Sequence, residues 1–446
     1  MSMAVVTWQR LNGLGRVLAI LVPLLVVLGL VSVGAAIIAG PFAVGFVSDN
    51  VPLLRFVAAI GAVLLLSIPT AFIIIYMELK VIARTNLRVG PDRVGPFGTA
   101  MSVVHGLKVL AKEDFAPTGV DLTVYTLAPV VVFVGSVMAF LVIPFAPGLF
   151  GADLNIGLLY LFAMSGLTVV GLLMAGWSSF NKYSLLGGLR SAAQMVSYEI
   201  PLTLSLVGVV LLAGTMSLNQ LVLAQSGSFL DWYIWKQPLA FIIFVLAGIA
   251  EANRPPFDLT EADQEIVAGF ATEYSGMRFG FFFFAEYVNV FIMSALIVTF
   301  FVGGWTAPFA WPVAVTIPTL DPLGLGVGLL LGIAAVPVVG TLILAAPFWL
   351  SSRITTLQAL VIGFILFNVI AVGLVLGYAF VSFDWVVGLF WFFAKAYVFV
   401  FFFVMLRATL PRIRIDQLMG FAWKWLLPAA LLNIFVTATA ILIVSR

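Results

Sequence analysis

The chain has 446 residues, 63% of them hydrophobic and only 9% charged, with a formal net charge of +2. Ordinary soluble domains run about 25% charged and 45–50% apolar, and disordered chains are more polar still, so both classes are excluded. The sequence holds no Cys and one His, which excludes disulfides, thiolate zinc sites, protein-bound iron–sulfur clusters and poly-His metal sites within this chain.

A helix needs roughly 20 apolar residues to cross a bilayer. Eleven stretches qualify, at about 17–39, 54–77, 125–147, 156–176, 198–218, 237–250, 280–302, 324–349, 356–381, 386–406 and 423–445. The expected fold class is therefore all-α, a polytopic membrane protein. The first stretch follows Arg10 and Arg16 as a signal peptide would, but its apolar run is longer than the 7–15 residues of a signal core, so it reads as a span. The sixth is short on apolar residues. It needs either continuation past Ala250 or cover from its neighbours.

With the N-terminus inside, seventeen Lys and Arg residues fall in inside segments. Only Arg55, Lys236 and Arg446 fall outside, and Lys395 lies within a span. The positive-inside rule then places the N-terminus in the cytoplasm and the C-terminus outside. The long polar loops, about 78–122, 177–197, 251–279 and 407–422, all fall on the inside. That face is the one expected to dock a partner.

In the first of these loops, RVGPDRVGPFG is turn-rich. About 99–112 places Met101, Val104, Leu107, Val109 and Leu110 near one helical face, which suits a helix lying along the interface. His105 and Lys108 fall close together on it. A lone His is more often structural than catalytic. The loop 177–197 reads as an inside loop with a short helix from about Gly188. Glu199 opens the next span just before Pro201.

The segment 251–286 carries seven acids, Glu251, Asp258, Glu261, Asp263, Glu265, Glu273 and Glu286, with only Arg254 and Arg278 as bases. Pro255, Pro256, Phe257, Phe270 and Tyr274 are interleaved with them, which suggests a folded, partly buried segment rather than a solvated one. Closely spaced carboxylates in low dielectric raise one another's pKa toward neutral pH, so such a cluster can begin a proton path. Glu286, Glu199 and Lys395 sit within or at the edge of apolar runs. An ionisable residue there is a functional candidate, with snorkelling or a structural ion pair as the plainer reading. The segment RATLPRIRIDQLMGFAWKW combines four basic residues with Asp416 and reads mainly as a positive-inside flank. No nucleotide-binding loop and no internal transporter-type repeat is present in the sequence.

The stretches LRVGPDRVGPFG, GWSSFNKYSLLGGLRSAAQMVSYEIP, AEANRPPFDLTEADQEIVAGFATEYSGMRFGFFFFAEYVN, GGWTAPF and RATLPRIRIDQLMGFAWKWLLP occur in this order. Together they resemble the H-subunit family of NADH-quinone oxidoreductase, respiratory complex I, also called the NADH dehydrogenase subunit 1 family. The resemblance covers about 54–310 and 384–446. It implies eight core helices, so three of the eleven spans are extra. The expected organisation is an N-terminal extra helix and outside loop (1–53), a family core with the quinone-chamber loops (54–310), an inserted pair of helices (311–383) and a C-terminal pair of core helices with a basic inside loop (384–446).

The resemblance implies a bacterial inner-membrane subunit that docks a peripheral arm. That arm carries the flavin and iron–sulfur clusters, while this chain binds no cofactor of its own. With the arm, the subunit would form a chamber for ubiquinone or menaquinone and couple its reduction to proton translocation in antiporter-like membrane subunits. The positions that match are Glu78, Arg88, Glu199, Glu251, Arg254, Asp258, Glu261, Asp263, Glu265, Glu273, Glu286 and Tyr287; His105 and Lys395 are added as candidates. Two departures stand out. Glu78-Leu79-Lys80 lacks a basic residue that the family usually carries, and His105 replaces a usual Asp. A His can still exchange protons near neutral pH, but it supplies no fixed negative charge. The alternative is the anchor subunit of a related membrane-bound hydrogenase, which a nickel-iron partner with paired Cys ligands would reveal. A stand-alone transporter or a purely structural subunit would leave the intramembrane Glu residues unexplained.

Overall fold

The structure, a computed structural model, describes residues 51–258, 267–308 and 384–444. The chain divides into two compact units, residues 59–313 with 383–446, and residues 1–58 with 314–382. The first holds almost all of the described residues. The expected spans at 17–39, 324–349 and 356–381, and with them Glu261, Asp263 and Glu265, lie outside the described residues.

The described residues form helices α1 (Val51–Thr85), α2 (Met101–Ala111), α3 (Leu122–Met138), α4 (Gly157–Ser178), α5 (Lys182–Ala213), α6 (Leu218–Leu223), α7 (Tyr233–Lys236), α8 (Pro238–Glu251), α9 (Gly276–Phe301), α10 (Asp384–Thr409), α11 (Ile415–Phe421) and α12 (Leu427–Val444). No strand occurs among them. Among the described residues, seven stretches are long and apolar enough to cross a membrane. The protein is an all-α polytopic membrane protein.

Sequence chemistry explains several helix ends. Asp121 accepts hydrogen bonds from the Thr123 and Val124 amides at the start of α3, and Asn181 accepts one from the Tyr183 amide at the start of α5. Gly214, at φ +70°, ends α5 in the left-handed conformation that glycine adopts without steric cost.

The helix α5 departs from expectation. It runs unbroken for 32 residues and absorbs most of the segment read as an inside loop with a short helix. Small residues account for this. A Cβ on Gly176 of α4 would lie 3.0 Å from the Gly188 Cα, so the two backbones touch. A Cβ on Gly187 would lie 2.5 Å from the Gly269 backbone. Close backbone approach between small residues is how helices pack tightly within a bilayer. The low apolar count of 182–197 thus reflects backbone packing, not a loop.

At about 1.5 Å per residue, the 14 residues of α8 span only about 21 Å. The short turn α7 precedes it and residues 252–258 follow it. Ile243, Phe244, Ala247 and Ile249 are all buried, so neighbouring helices cover α8 instead of lipid. Among the described spans the most enclosed is α9, 72% buried against 22% for the last span. Stacked aromatic rings line its path, including Phe291 with Phe140 and with Phe393, each at 5.7 Å between centroids. Thus α9 carries Glu286 and Tyr287 through the centre of the bundle. The amphipathic helix expected at 99–112 is α2, and Val103, Leu107 and Leu110 stand exposed on it.

Candidate functional site

Of the residues singled out in the sequence, Glu78, Arg254, Asp258 and Glu286 converge, with Arg407 and Arg412, on the end of the bundle where α1, α9 and α10 meet the segment after α8. Glu78, 8% exposed by its side chain, lies between two arginines. It accepts from Arg254 Nη1 at 3.2 Å and is also bonded by Arg407 Nη1 of α10. Arg254, 3% exposed, extends the row to Glu286, with Nη2 at 3.4 Å from the carboxylate. Its guanidinium stacks 4.6 Å from the centre of the Tyr287 ring. Burial of charge this deep is tolerated only where the charges are paired and hydrogen-bonded. Here one carboxylate serves two guanidiniums, and one guanidinium serves two carboxylates and a ring.

A second clasp closes beside it. Arg412 Nη2 lies 3.0 Å from the buried Asp258 carboxylate, and the Ile413 amide donates to the Pro256 carbonyl. The buried Gln194 of α5 donates through Nε2 to the carbonyls of Ala250 and Phe257 at 2.9 and 2.8 Å. The segment 252–258 is therefore fixed from both sides. Asn253 makes its turn at φ +49°, a left-handed conformation that Asn tolerates better than most residues.

A second group of carboxylates lies further along the bundle. Glu251, at the last position of α8, is 5% exposed, and its Oε2 has no hydrogen-bond partner among the described residues. Glu199 of α5 accepts from the Ser165 hydroxyl at 2.7 Å. These two carboxylates line one small cavity of about 40 Å³. A neighbouring cavity of about 30 Å³ is lined by Glu286. Thr168 and Asn289 line both, so the two cavities adjoin. Ser165, Thr168, Asn289 and Gln194 were not singled out in the sequence. A polar residue on an otherwise apolar helix was the only available signal.

Glu273 sits apart from this row, in a tightly packed polar corner. Asn181 Nδ2 donates to its carboxylate at 2.5 Å, and the Tyr125 hydroxyl donates to its carbonyl at 2.7 Å. Tyr125 stacks on Tyr274 at 4.2 Å, and the Arg278 guanidinium lies over Tyr125 and pairs with Asp114 at 3.4 Å. Burial pushes the Tyr274 hydroxyl up to about 12, so at neutral pH it is a neutral donor, bonded to the Tyr125 carbonyl.

Two further candidates, Arg88 and His105, fall outside the network. Arg88 is exposed on the loop after α1, and His105 is half-buried on α2. Neither forms an ion pair among the described residues. Leu79 packs against the apolar core, and Lys80 pairs loosely with Asp92 at 3.7 Å.

Lys395 lies at the far end of α9, about 24 Å from Glu286 at 1.5 Å per residue. It donates to the carbonyls of Val302 and Thr306 at 2.7 and 2.9 Å and lies 4.7 Å over the Trp232 ring. A cation at a helix C-terminus satisfies carbonyls that have no partner within the helix. Lys395→Met is expected to lower stability by about 1–3 kcal/mol, the cost of unmaking bonds to a charged donor, while specific turnover per assembled complex stays near the parent value. Thermal unfolding and turnover of the purified variant check this; loss of turnover at unchanged stability would give Lys395 a role in the reaction.

A sequence model of the NADH dehydrogenase family matches residues 57–438. The chain is similar to the H subunit of NADH-quinone oxidoreductase from Dehalococcoides mccartyi strain CBDB1, 42% identical over 84% of each chain. It is 43% identical to the protein of that name from Geobacillus kaustophilus over 84% of this chain and 91% of the relative. The Brevibacillus brevis protein of that name is 41% identical over 86% and 92%. Matches of this length and identity cover the helices that build the paired-charge row, and the chain belongs to the H-subunit family of NADH-quinone oxidoreductase.

Proposed function

We propose that this chain is the quinone-site membrane subunit of a proton-pumping NADH-quinone oxidoreductase. It sits in a bacterial inner membrane with its N-terminus and the loop end of the bundle facing the cytoplasm. A peripheral arm with flavin and iron–sulfur clusters docks on that face and supplies two electrons from NADH. Together the arm and this chain enclose the headgroup of ubiquinone or menaquinone, which takes up two electrons and two protons to become quinol. The relatives carry the words NADH-quinone oxidoreductase in their names.

The observation that carries the reading is the row of ionisable groups leading inward from the loop end. It begins at Arg407, Glu78, Arg254 and Glu286 and passes by way of the adjoining cavities to Glu199 and Glu251. Charge that appears near Asp258 and Arg254 during quinone reduction changes which proton positions along this row are favourable, because low dielectric strengthens every interaction in it. Glu251 and Glu199 line the same cavity. Polar groups from Ser165, Thr168 and Asn289, with space for water between them, supply hydrogen-bonding stations. The antiporter-like subunits receive the resulting push. Glu261, Asp263 and Glu265, in the same acidic stretch of the sequence, are assigned to the chamber. Arg88 and His105, which lie apart from the row, are assigned to the chamber from the first loop.

Gentle purification of the tagged chain from its native membrane tests the assembly. Flavin and iron–sulfur chains that co-purify with NADH-dependent quinone reduction are the expected result. A nickel-iron chain in their place, or recovery of this protein alone from an intact preparation, would overturn it.

A further inference from the structure

A groove of about 510 Å³ runs beside α11 and shares no lining residue with the two cavities lined by carboxylates. One wall is Leu246 of α8, and the other is the face of α11 that carries Gln417 and Phe421 and continues to Trp425. Its floor is rigid. Leu418 is fully buried and its carbonyl accepts from the Tyr198 hydroxyl at 2.9 Å, while Phe257 and Phe421 stack at 6.4 Å.

Three features point to its occupant. Lys424 lines the groove, is exposed, and forms no ion pair or hydrogen bond among the described residues. Arg414, one turn before Gln417, is likewise exposed and without an ion pair among them, and Asp416 is the one acid on α11. The mouth is therefore net positive, because Arg412 is already taken up by Asp258. Secondly, residues 422–426 form a π-helical turn, a wider coil that is frequent at functional positions. It holds Trp423 and Trp425, and Trp423 is anchored through its indole N–H to the Ser197 hydroxyl at 3.4 Å. Paired Trp residues beside a Lys mark the level of lipid headgroups. Thirdly, the face of Trp425 continues along α12 as Leu432 and Val436, each 57% exposed, with Phe435 beside them at 71%. An apolar track follows the cationic mouth, and chains about as long as that track would cover it. A peptide would need backbone partners, and the groove lining offers a single amide side chain.

We propose that this groove binds one anionic phospholipid, its phosphate on Lys424 and its acyl chains along Phe421, Trp425, Leu432 and Val436. The Lys stem lies on the apolar wall while its ammonium reaches the headgroup layer. The bound lipid then rests directly on Phe257, in the segment that carries Arg254 and Asp258. This inference does not depend on the proposed function, since it concerns a site that carries none of the row's residues.

The test uses the intact purified complex in phosphatidylcholine vesicles with a trace of photoactivatable phosphatidylglycerol or photoactivatable phosphatidylcholine, and maps cross-linked peptides. The phosphatidylglycerol probe is expected to label the Phe421–Trp425 stretch roughly fivefold more than the phosphatidylcholine probe, the preference expected of one Lys near an anionic headgroup. Lys424→Gln is expected to remove that preference and Lys424→Arg to keep it. Leu246→Trp, which fills the groove and leaves the charge in place, is expected to abolish labelling there by both probes while labelling elsewhere persists. Equal labelling by the two probes, an unchanged preference in Lys424→Gln, or a groove covered by a partner chain that blocks both probes would overturn the proposal.

Discussion

Replacement of Glu286 by Gln is expected to abolish quinone reduction coupled to proton transfer, by on the order of 100-fold or more, the range seen when a proton-transfer group is removed. The complex should still assemble. Gln has nearly the volume of Glu, and its amide oxygen can accept from Arg254 Nη2, which lies 3.4 Å from the present carboxylate. What the amide cannot do is gain or lose a charge. The position matters because Glu286 is the carboxylate that joins the two halves of the row. Arg254 ties it to Glu78, and the cavity it lines adjoins the one that holds Glu199 and Glu251. Oxidation of NADH with an artificial acceptor that draws electrons from the peripheral arm should be unchanged, which separates loss of coupling from loss of the arm. Glu286→Asp keeps a titratable group one methylene shorter and is expected to retain part of the activity. Normal coupled turnover in Glu286→Gln would remove Glu286 from the proton path.

Much of the architecture could be read from apolar run length alone, because a bilayer demands it. Each core span in the described residues has its helix, and α2 lies where the apolar residues of 99–112 gather on one face. The reading failed at 182–197. Gly187, Gly188, Ser184 and Ser191 make that segment look like a loop by hydropathy, yet their small size is what lets α5 touch α4 and the Gly269 backbone. Hydropathy measures transfer into lipid and does not register a helix whose neighbours are other helices.

The same distinction governs the site. Glu286 could be singled out because charges within apolar runs are rare, and Glu78 and Arg254 through the positions that match the family. Their partners could not. Arg407 and Arg412 read as ordinary positive flank, and only the fold shows them reaching Glu78 and Asp258, far away in sequence. Gln194 carried no signal of its own, and its role rests on three bonds to residues 250–257. Lys395 met the same criterion as Glu286, but its partners are carbonyls and a Trp ring, a helix-end arrangement well apart from the carboxylates. Composition flags a buried charge, and geometry alone tells whether that charge has a neighbour able to change state.

Glu78→Gln should have the largest effect on stability. In the parent, its carboxylate faces two guanidiniums, and both it and Arg254 are nearly fully buried. Neutralising it leaves Arg254 and Arg407 facing an amide with no anion between them, and Arg254 then depends on the longer contact to Glu286. Removing one partner from a buried pair typically costs about 3–5 kcal/mol, because the surviving charge stays desolvated. Arg407 is 28% exposed and can turn toward water, so the lower end, about 3 kcal/mol, is expected here. The measurement is the thermal midpoint of the solubilised complex together with the amount of this chain retained in membranes. Both should fall well below the parent values. The double variant Glu78→Gln/Arg407→Gln should recover part of the loss, because it removes one stranded cation along with the anion. A variant that merely loses packing would gain nothing from the second change, since Gln at 407 fills less space than Arg. Parent-like stability of Glu78→Gln would mean that Arg254 and Arg407 are solvated in the assembled complex, and the buried row would then lack its anchor at the loop end.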